Sequence, residues 1–123
     1  MHFTEDKPSG NYIINEYSIN TVTINNQSYG NSLYLSPNTL IEHVPLKQSS
    51  ELTIEAIQFI IELGPELVIL GSGSSLCFPP AAIIAHFASN NIGFETMDHS
   101  AACRTYAVLS AEQREVGMLL LIN

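Results

Sequence analysis

The stretch that decides the fold is Phe94-Glu-Thr-Met-Asp-His-Ser-Ala-Ala-Cys-Arg-Thr-Tyr-Ala-Val-Leu-Ser-Ala-Glu-Gln-Arg114. It reads as a short strand over 94–97, an acidic turn at Asp98 and a helix over about 99–114. Asp98 is placed to cap the helix, because a carboxylate there accepts from amides that the first turn leaves without partners. On a helical projection Ala101, Ala102, Thr105, Tyr106, Val108 and Leu109 share one arc, which is expected to pack on a sheet. Cys103, Ala107, Ser110 and Arg114 fall on the far side, with Arg104 on a flank.

Working outward, Leu67-Val-Ile-Leu70 is a continuous apolar run, as in a parallel strand covered on both faces. Gly71-Ser72-Gly73-Ser74-Ser75 is the loop after it, and Pro79-Pro80 opens a helix to about residue 91. Ile83, Ile84, Phe87 and Ala88 are its expected buried arc. After the helix over 99–114 comes a last strand over 116–122. Strand, helix, strand, helix, strand is the βαβ pattern, with right-handed crossovers and a mixed, mostly parallel sheet. The class is therefore α/β.

Upstream, an N-terminal antiparallel meander is expected over 12–35, from strands at 12–14, 21–24 and 32–35, with Asn25-Asn26-Gln27-Ser28 as the turn. Seven Asn residues between positions 11 and 38 suit turns, since Asn tolerates positive φ. Residues 40–44 read as a strand, and Ser49 or Ser50 as the cap of a helix ending at Gly64-Pro65. That helix has only a narrow polar stripe, Glu51, Glu55, Gln58 and Glu62. It is expected to lie between the main sheet and the meander, or else to meet a partner subunit. Residues 1–10 read as a loose arm and 11–123 as one domain.

The chain has 123 residues, 46% hydrophobic and 13% charged, which fits a folded globular domain. A net charge of −8 with four Lys and Arg in total excludes the clustered cations that nucleic acid requires. It equally opposes an anionic membrane surface. No apolar run is long enough to insert in a bilayer, and the polar, acidic start is unlike a leader peptide. Two cysteines outside any CxxC pair do not make a disulfide framework. A reduced, cytoplasmic protein is the expectation.

Met97-Asp98, followed by Ala101-Ala102-Cys103-Arg104-Thr105-Tyr106, resembles the signature of a family of small, mostly uncharacterised α/β domains. That family includes the mitochondrial respiratory complex I assembly factor 3. The similarity runs from about Tyr17 to the C-terminus, with two departures: Ala107 stands where the family usually has Asn, and Gln113 where it usually has Gly. The resemblance implies a three-layer domain with an extra β layer. It also implies an accessory or assembly-type role through protein binding, rather than an agreed chemistry.

In such a sheet, ligands usually bind at the edge where the parallel strands end. The 71–78 loop, with Cys77, and the start of the helix at Asp98 are expected to meet there. Glycine-loop amides, helix N-termini and Arg104 would offer an anion its donors. Gly71-Ser72-Gly73 lacks the third glycine of a dinucleotide fingerprint and the Lys of a P-loop, so a tight turn needing small residues is the preferred reading and an anion pocket the alternative. Cys103 follows His99 by four residues, which would let thiol and imidazole touch. A small packing residue with His99 solvated is the preferred reading. Arg104 reads as an ion-pair partner of Asp98. No metal-ligand spacing occurs, and neither a metal nor a cofactor is expected. The candidate pocket or interaction residues are Gly71, Ser72, Gly73, Asp98, Cys103, Arg104, Thr105 and Tyr106. The expected partner is another protein, with a small anion as the alternative.

Overall fold

In a computed structural model, which describes residues 12–123, the chain forms eight strands and three α-helices. The arm expected over residues 1–10 lies outside the described residues. The elements are β1 (Ile14–Ser18), β2 (Thr21–Ile24), β3 (Gln27–Tyr29), β4 (Leu33–Ser36), β5 (Thr39–Ile41), α1 (Ile54–Leu63), β6 (Leu67–Gly71), α2 (Ala81–Ser89), β7 (Gly93–Met97), α3 (His99–Ala111) and β8 (Val116–Leu120). A three-stranded antiparallel sheet, β1-β2-β3, accompanies a five-stranded mixed sheet ordered β5-β4-β8-β6-β7. Of the four pairings in the larger sheet, β8–β6 and β6–β7 are parallel. The α/β class and the βαβ crossovers are as the sequence indicates.

The crossovers decide which face each helix covers. From β6 through α2 to β7 the chain steps toward the sheet edge; from β7 through α3 to β8 it steps back past β6. With one handedness for both connections, α2 and α3 fall on opposite faces. Val68, Leu70, Leu119 and Tyr34 pack with Ile57 and Ile60 of α1 and Ile83 and Phe87 of α2. On the other face Ile69, Met118, Leu120, Leu33 and Leu35 pack with Ala102, Cys103 and Tyr106 of α3 and Val22 and Ile24 of the small sheet. Three layers result, with α3 and the small sheet sharing one of them. Each fully buried aliphatic side chain contributes about 1.5–3 kcal/mol.

This layering corrects the expectation for α1, which lies with α2 on the face away from the small sheet. Its start is also later than Ser49 or Ser50. Those residues form a 3-10 turn, Leu52 follows in extended backbone, and Thr53 caps α1 by accepting from Ala56 N at 3.1 Å. Gly64, at φ +65, closes the helix as expected, its N–H donating to Ile60 O.

The meander also departs from its sequence reading. Asn25 and Asn26 (φ +49 and +70) alone make the β2–β3 turn, so Gln27 and Ser28, expected to be turn, are strand. Two consecutive positive φ values are what a two-residue hairpin loop requires, and Asn supplies them. Residues 33–36 belong to the main sheet, paired antiparallel with β8, and not to the meander. The strand expected over 40–44 is Thr39–Ile41; His43, at φ +57, turns the chain away.

Candidate functional site

The Gly71–Gly73 loop and the start of α3 do meet, at the edge where β6 and β7 end. Ser72 N donates to Met97 O at 2.8 Å, and His99 N donates to Gly73 O at 2.7 Å. The single Ser72 hydroxyl proton is shared between Ser75 O (2.9 Å) and Met97 O (3.2 Å), and the oxygen accepts from Cys77 N (3.0 Å). One serine therefore ties the glycine loop to the end of β7 and to its own return. Gly73 sits at φ +104, where a side chain is strained. At Gly71 a Cβ would stand 3.1 Å from Ala102 Cβ and 2.6 Å from Leu120 Cδ1, so the missing side chain lets α3 settle on the sheet.

Asp98 caps α3 as expected, its Oδ1 accepting from Ala101 N at 2.9 Å. Between Asp98 and the β1–β2 turn lies a cleft of about 400 Å³, lined by Tyr17, Ser18, Ile19, Ser74, Asp98, His99 and Ser100. Arg104 does not pair with Asp98; it is exposed and donates from Nη1 to Ser100 Oγ at 3.1 Å, one turn back along α3. Two of the three leading α3 amides, His99 N and Ala101 N, are already engaged by protein oxygens.

Two α3 residues lie deeper than their placement on the helical wheel suggests. Cys103 is 0% exposed, whereas Val108, expected on the buried arc, is 58% exposed. His99 is buried as well, not solvated, with Nε2 at 3.0 Å from Thr21 O of β2. The cause is the small sheet, which covers the flank of α3 that carries His99 and Cys103. Burial pushes the Cys103 thiol up to about 12 from an ordinary 9.0, which leaves it protonated and unreactive at neutral pH. Thr105 is half-buried, and Tyr106 is fully buried with a hydroxyl that has no hydrogen-bond partner among the described residues. Gly71, Ser72, Gly73 and Asp98 thus share the rim, while Cys103 and Tyr106 belong to the helix–sheet interface. Among the described residues no three His, Cys, Asp or Glu side chains converge as a metal site.

Sequence reasoning missed the apolar side chains on this rim. Ile19 is 72% exposed in the β1–β2 turn, and Leu76 and Phe78 are 54% and 65% exposed in the loop leaving β6. Exposed Cys77 lies between Leu76 and Phe78. Their signal was available: Leu76-Cys77-Phe78 is an apolar run placed just before Pro79-Pro80, outside any helix or strand.

A three-layer α/β domain of this topology is a known class of small protein. Residues 14–121 match the family described as protein of unknown function (DUF498/DUF598), and the chain belongs to that family. A Francisella tularensis subsp. holarctica protein named 13 kDa major membrane protein is 25% identical over 122 residues, covering 98% of this chain and 99% of the relative. A Xanthomonas campestris protein solved by NMR superposes with a TM-score of 0.85 at 29% identity, covering 99% of this chain and 92% of that one. A Bartonella henselae protein, described as an outer membrane protein, gives a TM-score of 0.80 at 26% identity over 92% of this chain and 96% of its own. In the chain itself no helix among the described residues is long and apolar enough to cross a membrane.

Proposed function

We propose that this domain is a non-catalytic accessory protein that binds another protein through the rim where the β6 loop, the α3 start and the β1–β2 turn come together. The observation that carries this reading is the exposure of Ile19, Leu76 and Phe78 on that rim. Large apolar side chains left exposed on loops held by a rigid scaffold mark contact surfaces, because leaving them in water has no structural return. The Ser72 hydrogen bonds fix the loop, so little ordering entropy is lost on docking. A charge of −8 favours a partner with a basic surface. The resemblance carried by Ala101-Ala102-Cys103-Arg104-Thr105-Tyr106 points the same way, toward assembly of a larger complex, which is respiratory complex I for the assembly-factor relative. The names of the Francisella and Bartonella relatives direct the search to membrane-associated partners.

The test compares the native chain with a Leu76→Ser, Phe78→Ser double variant. Cross-linked capture from native lysate identifies a partner, and purified partner then gives the affinity. Loss of two apolar anchors is expected to weaken it at least about tenfold with the domain still folded. Equal affinity for both chains overturns the proposal. A thermal-shift screen against small anions runs alongside. An anion that stabilises the native chain but not Arg104→Ala would replace protein binding with the anion-pocket alternative.

A further inference from the structure

At the opposite end of the sheet, where β6 and β8 begin, there is a second cleft, of about 470 Å³. The β4–β5 turn, the end of α1 and the segment joining α3 to β8 form its walls. Its size lies within the about 300–1,000 Å³ usual for small-molecule sites. The polar groups presented are mostly neutral: the hydroxyls of Thr39 and Ser110, the amides of Asn38 and Gln113, and the phenol of Tyr34. Leu63 and Pro65 contribute apolar wall. Arg114 at this rim is spoken for, its Nε 3.5 Å from Glu66 Oε1, and Glu115 lies next to it. An anion would meet more carboxylate than free cation here.

Tyr34 carries the argument. It is 1% exposed yet lines the cleft, and its hydroxyl forms no hydrogen bond with the described residues. The hydroxyl sits over Gly117, in the space that any Cβ there would occupy. Unlike the Tyr106 and Ser49 hydroxyls, it is not sealed from solvent, so it opens onto the cleft. Phe would fill the same ring space and forfeit no hydrogen bond to the described residues, so the oxygen has no part in holding the fold together. Gln113 adds a second feature: it stands at φ +62, a conformation that favours glycine, with its amide at the cleft.

We infer that this cleft binds a neutral, polyhydroxylated small molecule of the sugar or cyclitol class, with the Tyr34 hydroxyl as its buried contact. Hydroxyl and amide side chains both donate and accept, which matches a ligand whose every hydroxyl does the same. The site is distinct from the protein-binding rim and does not depend on it.

The test is an amide-resolved NMR titration of the native chain with glucose, maltose and myo-inositol, and with inorganic phosphate as the anionic control. The expected result is saturable shifts confined to residues 36–39, 63–65 and 110–116 with at least one polyol, and none with phosphate. Tyr34→Phe is expected to keep the melting temperature while weakening that polyol about three- to tenfold, the worth of one neutral hydrogen bond. Gln113→Gly, which suits its backbone, is the second variant and is expected to weaken it similarly. No saturable shift with any polyol overturns the proposal, as do shifts at the other rim, equal response to phosphate, or an affinity that both variants leave unchanged.

Discussion

Gly117 shows how much one missing side chain can matter. It is the second residue of β8, the central strand of the main sheet, and the Tyr34 ring tip lies where its Cβ would be, with Cζ 2.6 Å and Cε1 2.8 Å from that position. Those atoms are the rigid end of a buried ring, so relief requires moving a core aromatic rather than a flexible chain end. Gly117→Ala is expected to destabilise the domain by about 1–3 kcal/mol, the usual range for an overpacked core, measured as a drop in the urea midpoint at constant m. An unchanged midpoint would mean that Tyr34 has room elsewhere. The two cysteines give a second residue-scale contrast. Cys77 is exposed, while Cys103 is buried with its thiol pushed up to about 12. At pH 8 one thiol per native chain is expected to react with iodoacetamide, identified by peptide mass as Cys77, and the second only in denaturant. Rapid native labelling of Cys103 would show that the layer over α3 opens readily.

Among the elements, α3 was the easiest to recognise and the easiest to orient wrongly. Asp98 announces its start, and the structure puts the carboxylate on Ala101 N. Asp98→Ala is expected to cost about 1 kcal/mol in thermal or urea unfolding, with Asp98→Asn recovering most of it, since Asn caps nearly as well. Equal loss in both would point to the negative charge instead of the hydrogen bond. The face of α3 was less legible because a helical wheel ranks residues by apolarity alone. Val108 looks buried and is exposed; His99 and Cys103 look peripheral and are covered by the small sheet. That sheet is distant in sequence, so no local pattern on the helix reports it. Similarly, the asparagines around residue 25 signal a turn, but only the positive φ values at Asn25 and Asn26 show that it ends before Gln27. The strands β6 and β8 were legible because burial on both faces leaves an unbroken apolar run. The rim contacts of Ser72 were not, since a serine in a glycine loop has no distinctive pattern.

At the scale of the whole molecule, both outer layers rest on buried groups that must stay protonated. Tyr34 lies on the α1–α2 face of the main sheet, and Tyr106 and Cys103 lie on the α3 face. Burial raises all three: Tyr34 and Cys103 each to about 12 from ordinary values of 10.0 and 9.0, and Tyr106 further, with Tyr34 adding to its shift. The unfolded chain would ionise these groups near 9 to 10, whereas the native chain holds their protons, so above pH 9 the native state binds more protons. Stability is therefore full below pH 9 and is lost as pH rises toward 12 and beyond, by up to about 1.4 kcal/mol per group per pH unit. Because the groups occupy both faces, ionisation loosens the two layers together, and one cooperative alkaline transition is expected rather than the peeling of a single helix. Urea unfolding at pH 8, 9, 10 and 11, with tyrosinate absorbance followed in parallel, checks this. The urea midpoint should hold to pH 9 and then fall. Two of the five tyrosines should ionise only as the circular dichroism signal is lost. If all five titrate near pH 10 in a chain that stays folded, water reaches the helix–sheet interfaces and the layers are not packed as described.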